Sequence, residues 1–140
     1  MIKIFKNYFY ILSPSEIKFS LLGPLDSNPA AITKNEVNEW LNKGLIQYFG
    51  ESKDVRPYIE KCSVFVLPSY REGMPRSVLE AMSIGLPIIA SNVVGNIDTI
   101  INGKSGFFYS LNDIEMATYY LKRLAKNRKL IKKIGQSAFQ

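Results

Sequence analysis

Two carboxylates, Glu72 and Glu80, stand eight positions apart in the stretch 68–90, PSYREGMPRSVLEAMSIGLPIIA. Glu72 sits in a loop that also holds Gly73 and Pro75, directly after the apolar run Val64-Phe65-Val66-Leu67. Glu80 lies in a segment of helical pattern whose neighbours Val78, Leu79, Ala81, Met82 and Ile84 are apolar. An ionised carboxylate is an acceptor only, and in apolar company it must find a donor or reach a cleft. The chemistry open to such a pair is the holding of donor groups, either a ligand's or the protein's own. For Glu80 the protein's own donor is Arg76, four positions earlier, although arginine preceding glutamate is the poorer helical orientation. For Glu72 it is Arg71 or a nearby lysine.

Other chemistries fit poorly. The chain has no histidine, which removes Ser-His and Cys-His nucleophile systems, and no serine stands in a G-x-S-x-G elbow. No Asp-x-Asp pair is present to hold a divalent metal against a diphosphate. Gly103-Lys104-Ser105 has the ending of a P-loop, but Asp98 stands where glycine is required and a strand follows where a helix should begin. The single cysteine, Cys62, excludes an internal disulfide and a cysteine-based zinc site, and reads as a small semi-buried residue at a helix end. Gly95, Gly103 and Gly106 read as turn residues or as parts of a site, and Asp98 as a carboxylate that orders a helix or loop.

The elements that must position the glutamates follow from hydrophobic period and punctuation. Residues 1–12 read as the end of an aromatic-rich helix stopped near Ser13-Pro14. Strands are expected at Ile17–Leu22, Leu45–Phe49, Ser63–Leu67, Pro87–Ala90 and Gly106–Tyr109. Helices are expected at Asn35–Lys43 (with Asn35 as N-cap), Asp54–Lys61, Pro75–Ile84, Val94–Asn102, Asn112–Asn127 and Arg128–Ile134, with Asp26-Ser27-Asn28-Pro29 as loop. Short apolar strands separated by helices predict an α/β fold, a Rossmann-like parallel sheet with helices on both faces. Ligands of such sheets bind outside the strand C-termini, where loops lead into helices. The 68–75 loop occupies such a place, so Glu72 falls at a ligand crevice.

A length of 140 residues, 46% hydrophobic and 21% charged, fits one soluble domain, taken as a single partial domain over 1–140. No apolar run approaches the roughly 20 residues that span a bilayer, and the N-terminus lacks a signal-peptide pattern, which suits a cytoplasmic address. The net charge of +6 is concentrated in 121–133, LKRLAKNRKLIKK, which holds seven basic residues and no acidic one. Apolar residues interleave at near-helical spacing, so this is a basic amphipathic surface: a solvated face, or a peripheral contact with anionic lipid at the inner face of the plasma membrane. No nucleic-acid motif accompanies the charge.

Taken together, the run 67–91 (LPS-Y-REGMP-RSVLEAM-SIGLPIIAS), Gly95–Ile100, and Asn102-Gly103-Lys104-Ser105-Gly106 resemble the C-terminal domain of the retaining GT-B glycosyltransferases of family 4. Phe19–Gly23, Tyr48-Phe49-Gly50 and Asp54-Val55 add weaker support, and the resemblance covers about residues 17–135. It implies the donor-binding half of a transferase that moves a sugar from a nucleoside diphosphate of UDP or GDP type, with retention and without a metal or other cofactor. The products are polysaccharide or glycolipid. Glu80 matches the glutamate that binds the donor ribose, and Glu72 the catalytic-site glutamate placed against the donor sugar. The amides of Gly73 and Met74, with the helix start at Pro75, match the part that faces the diphosphate. The base would lie near Tyr48, Phe49 and Gly50.

The same resemblance defines what does not match. A domain of this family opens with a strand and a loop carrying an arginine and a lysine that clamp the diphosphate. The sequence here begins within the following helix, and Lys3 and Lys6 do not match the clamp. The first strand, central to the sheet, is expected to be missing, as is the N-terminal acceptor domain, and the last helix to be cut short at Gln140. Two lost cations would remove charge-assisted hydrogen bonds worth about 1.5–3 kcal/mol each. The expectation is a fragment inactive alone, served by an N-terminal glycosyltransferase domain upstream or in trans. The alternative is a non-catalytic truncated remnant or interaction module that retains the fold.

Overall fold

All four residues of one strand, Ile88, Ile89, Ala90 and Ser91, are 0% exposed. Successive side chains of a strand point to opposite faces, so a strand buried at every position is covered on both. This strand organises the larger of two compact units in the computed structural model, which describes residues 17–25 and 32–139. The helix expected at 1–12 and the loop Asp26–Pro29 lie outside the described residues.

The first unit, Met1–Val55, contains β1 (Phe19–Leu21), α1 (Lys34–Asn42) and β2 (Ile46–Tyr48). β1 and β2 pair in parallel, Phe19 opposite Ile46 and Leu21 opposite Tyr48. Phe19, Leu21, Ile46, Val37 and Trp40 form the buried core of this unit. α1 is capped by Thr33, two residues earlier than the expected Asn35. The reason is a capping box: the Glu36 amide donates to Thr33 Oγ1 at 3.2 Å and the Thr33 amide donates to the Glu36 carboxylate at 3.0 Å.

The second unit, Arg56–Gln140, contains α2 (Arg56–Ile59), β3 (Phe65–Leu67), α3 (Arg76–Ser83), β4 (Ile88–Ser91), α4 (Val94–Ile97), β5 (Gly106–Tyr109), α5 (Ile114–Ala125) and α6 (Arg128–Phe139). Its strands run parallel in the order β3-β4-β5, with Phe65 opposite Ile88 and Ile88 opposite Gly106. The α/β class and the parallel pairing are as expected, but the strands fall into two sheets rather than one. Among the described residues β1 pairs only with β2, and β3 only with β4. β3 is accordingly half-buried although wholly apolar, as an edge strand is.

Element lengths also differ from expectation. α2 and α4 are single turns of four residues each, shorter than the apolar spacing suggested. α6 runs through Phe139, past the expected Ile134, because Ala138 continues its buried face. Pro75 is the N-cap of α3 rather than its first residue. At the other end of α3, Gly85 takes φ +79°, the left-handed cap its sequence position anticipates.

α6 rests on that turn with no room to spare. A Cβ at Gly135 would overlap the carbonyl oxygen of Gly85 and lie 2.9 Å from its carbon. Gly135→Ala must therefore lift α6 from the α3–β4 turn. The expected cost is about 1–3 kcal/mol in urea unfolding, the range for overpacked sites. Gly135→Ala melting with the parent chain would show that the approach is not tight.

Candidate functional site

β3 delivers the chain to Pro68 and Ser69, both buried, and the next six residues cross to the start of α3. Ser69 is 1% exposed and fixes the base of this elbow. Its amide donates to Ser91 Oγ at 3.1 Å, and the Ser91 hydroxyl donates in return to the Ser69 carbonyl. The Asn96 side-chain amide donates to the Ser91 carbonyl at 2.9 Å. Ser91 and Asn96 are themselves 0% exposed, so the end of β4 and the single turn α4 form a rigid floor under the elbow.

The elbow presses on α4 backbone to backbone. A Cβ at Gly95 would overlap the Gly73 carbonyl oxygen, lie 2.7 Å from the Glu72 carbonyl oxygen and 2.8 Å from the Gly73 carbon. The Gly73 oxygen is nearer than its carbon, so this carbonyl points at Gly95. In a trans peptide the C=O and the following N–H are antiparallel, and no cis peptide occurs here. The Met74 N–H is therefore turned away from α4, on an elbow where Gly73 is exposed and Met74 is 77% exposed. Neither the Gly73 nor the Met74 amide donates to an acceptor among the described residues.

α3 begins immediately after. Its N-cap, Pro75, offers no side-chain hydrogen bond, so the first-turn amides of Arg76 and Ser77 are also open. Free N–H groups and the positive end of the helix dipole favour an anion at this place. Glu80 sits just over one turn into the helix and is half-buried, and its side chain leans toward the N-terminus as helical side chains do. Glu72 is half-buried as well.

Neither carboxylate has a partner among the described residues. Arg76, four positions before Glu80, forms no ion pair with it, nor does Arg71 with Glu72. The protein's own donors thus leave both glutamates open. The structure gathers Glu72, Gly73, Met74, Pro75 and Glu80 onto one elbow and helix start. Tyr48 and Gly50 belong to the first unit, where the Tyr48 hydroxyl donates to the Gly23 carbonyl at 2.8 Å and the Gly23 amide to the Gly50 carbonyl at 2.7 Å. Gly50 turns with φ +69°, and Phe49 is 43% exposed beside it.

Two groups are set apart from this site. Burial pushes the Cys62 thiol up from its ordinary value, and its Sγ donates to the Tyr58 carbonyl at 3.4 Å. An open depression lined by Ile84, Gly85, Lys132, Gln136 and Phe139 lies at the far end of α3, about 12 Å of helical rise from the elbow. Among the described residues no cluster of side chains could hold a metal ion, and no helix is long and apolar enough to cross a membrane.

Sequence patterns missed Ser91 and Asn96, and left Gly95 between turn and site. Gly95 is helical without a positive φ, so space and not conformation requires glycine there. A serine closing the apolar strand Pro87–Ala90 was the available signal. Gly103 is a turn residue at φ +76°, whereas a Cβ at Gly106 would crowd Ile88 across the sheet.

The pattern of the family described as Glycosyl transferases group 1 matches residues 8–140. An α-1,3-N-acetylgalactosaminyltransferase of Campylobacter jejuni, acting on N,N'-diacetylbacillosaminyl-diphospho-undecaprenol, is 33% identical over 87% of this chain and 31% of its own length. A UDP-Gal:α-D-GlcNAc-diphosphoundecaprenol α-1,3-galactosyltransferase of Escherichia coli is 42% identical over 58% of this chain and 21% of its own. The chain thus spans less than a third of either relative. Among solved structures, TarM superposes with a TM-score of 0.85 at 19% identity, covering 99% of this chain and 28% of TarM. HepE of Anabaena, crystallised with UDP, superposes at 0.81 with 16% identity, covering 97% of this chain and 38% of HepE.

Carboxylates that hold nothing in the free chain contribute nothing to its fold. Glu72→Gln and Glu80→Gln should each shift unfolding free energy by less than about 0.5 kcal/mol, as surface substitutions do. A loss of several times that value for Glu80→Gln in thermal or urea unfolding would reveal an internal partner for it.

Proposed function

The chain belongs to the glycosyl transferases group 1 family, and we propose that it is the donor-binding part of a retaining transferase. The observation that carries this reading is the pair of half-buried, unpartnered carboxylates flanking outward-facing amides at the start of α3. Each group then has a task. Glu80, an acceptor-only group, takes the two vicinal hydroxyls of the donor ribose. The Met74 and Gly73 amides and the α3 N-terminus receive diphosphate oxygens, and Pro75 caps that turn while occupying no donor. Glu72 stands against the donor sugar as the catalytic-site carboxylate.

A uridine donor is favoured, since HepE was crystallised with UDP and the E. coli relative is named for UDP-Gal. Relatives named for lipid-linked diphosphate acceptors support a product that is polysaccharide or glycolipid. The 140 residues form one partial nucleotide-sugar-binding domain in this reading, and an N-terminal glycosyltransferase domain, upstream or in trans, supplies the acceptor site. A cytoplasmic setting places the donor on the correct side of the membrane.

The basic surface of α5 and α6 suits that setting. Arg123, Lys126, Arg128, Lys129, Lys132 and Lys133 are all exposed, with no acidic residue among them in the sequence. Each basic residue near an anionic leaflet is worth about 1 kcal/mol, screened by salt. The surface is read as a peripheral contact with anionic lipid.

Three measurements test these assignments. In calorimetric titration of the purified chain, UDP should bind more tightly than GDP. Glu80→Ala should weaken binding by about 10- to 150-fold, the worth of hydrogen bonds to a charged group. A nucleotide-release assay on the same chain with donor and acceptor should show no turnover. Absence of any response to nucleotides would overturn the reading in favour of a non-catalytic interaction module. Vesicles containing phosphatidylglycerol should sediment the chain at low salt and release it at high salt or on the triple change Lys129→Glu, Lys132→Glu, Lys133→Glu. Equal binding to neutral vesicles would refute the lipid contact.

A further inference from the structure

The proposed donor contacts depend on an elbow that makes no stabilising side-chain bonds of its own beyond Ser69. The Ser69 hydroxyl donates to the Arg71 carbonyl at 3.3 Å, and from Tyr70 to Met74 no backbone amide donates to an acceptor among the described residues. Such a segment would sample many backbone states unless something outside it selects one. Three residues from the β4–α4 connection do so. Ser91 clasps Ser69 by donating to its carbonyl and accepting from its amide. Asn96 ties the same strand end to α4 through the Ser91 carbonyl. Gly95, lacking a side chain, leaves the space that the Gly73 carbonyl oxygen occupies.

We propose that Ser91, Gly95 and Asn96 are positioning residues that set the direction of the Gly73–Met74 peptide, and so hold the Met74 N–H ready for a phosphate oxygen. The proposal rests on the donor-binding reading above and adds to it the origin of the amide's orientation. The mechanism is steric and specific. With the Gly73 carbonyl received over Gly95, planarity places the Met74 N–H on the opposite side. A side chain at 95 evicts that carbonyl, and the peptide must rotate or the elbow must rise. Either change withdraws the donor without touching Glu80.

Asn96 shows how firmly the arrangement is imposed. Its Oδ1 is buried and has no partner among the described residues, a condition that costs free energy and that surrounding structure must enforce. Its Nδ2 is meanwhile committed to the Ser91 carbonyl. The side chain is therefore held for its donor alone, as a brace between α4 and the end of β4.

The experiment compares the parent chain with Gly95→Ala and Ser91→Ala, by amide NMR without ligand and then by titration with UDP and with uridine. Gly95→Ala should move the Gly73 and Met74 amide signals and weaken UDP binding by about tenfold or more, the worth of one charge-assisted hydrogen bond. Uridine, which carries no phosphate, should bind both proteins alike. A general structural defect would weaken UDP and uridine together, and that outcome refutes the proposal. Ser91→Ala, which only removes a hydroxyl, should speed hydrogen exchange at Ser69 and leave α5 and α6 amides protected. Unchanged Ser69 exchange would also refute it. Should the parent chain bind no UDP, the donor reading falls, and the proposal is then judged by the Met74 signal and Ser69 exchange alone.

Discussion

Complete burial of β4 is the constraint on which the rest of the second unit depends. A strand with no exposed residue must be paired on both edges and covered on both faces, so β3, β5 and the flanking helices are all measured from it. Ser91 is the last residue of that strand and the point at which it meets the 70–75 elbow. Its hydroxyl is in effect a continuation of the sheet's hydrogen-bonding, carried by a side chain where the backbone ladder has ended. The elbow therefore inherits its position from a wholly buried strand, although the elbow itself lies at the surface. Surface loops built on a buried scaffold are where binding groups usually stand.

The two glutamates represent the opposite circumstance. Glu72 and Glu80 are half-buried, yet no cation among the described residues meets either one. Arg76 is correctly spaced to pair with Glu80 and does not do so. An acceptor half-buried without a partner adds nothing to the folded state, and a sequence under no other demand has no reason to keep a charge there. Such departures from local consistency mark functional positions. The same holds for the uncapped start of α3. Thr33 and Asp113 cap α1 and α5 by accepting from the helix amides, while Pro75 offers nothing. Unmet acceptors and unmet donors thus occur within one short segment, an arrangement suited to a ligand that carries both hydroxyls and anionic oxygens.

Much of this was legible in the sequence because it is local. The alternation of short apolar runs with helical segments gave the α/β class, and the capping glycine at 85 and the strand at Gly106–Tyr109 fell where expected. Glu72 and Glu80 were visible as charges in apolar company. What escaped was long-range or steric. Thr33 rather than Asn35 caps α1 because its hydroxyl and the Glu36 carboxylate satisfy each other's backbone amides. The division into two sheets depends on which strand edges find partners, a property of no single segment. Gly95 was ambiguous because a glycine required for space looks the same in sequence as one required for a turn. The Ser91–Ser69 clasp joins residues 22 positions apart, beyond any local pattern.

Backbone contacts at both ends of α3 complete the physical picture. At its start the Gly73 carbonyl lies against Gly95, and at its end the Gly85 carbonyl lies against Gly135. In each case a carbonyl oxygen occupies the volume that a side chain would otherwise claim, so the contact has no flexible element to adjust. Side-chain packing alone would let an eight-residue helix shift by rotamer changes along its buried face of Val78 and Ala81. Clamped at both ends by main chain, α3 moves only if α4 or α6 moves with it. Glu80 and the open amides of the first turn then share one rigid body, and their mutual geometry is fixed before any ligand arrives. That is the condition under which a few hydrogen bonds confer selectivity, because little ordering cost is left to be met on binding.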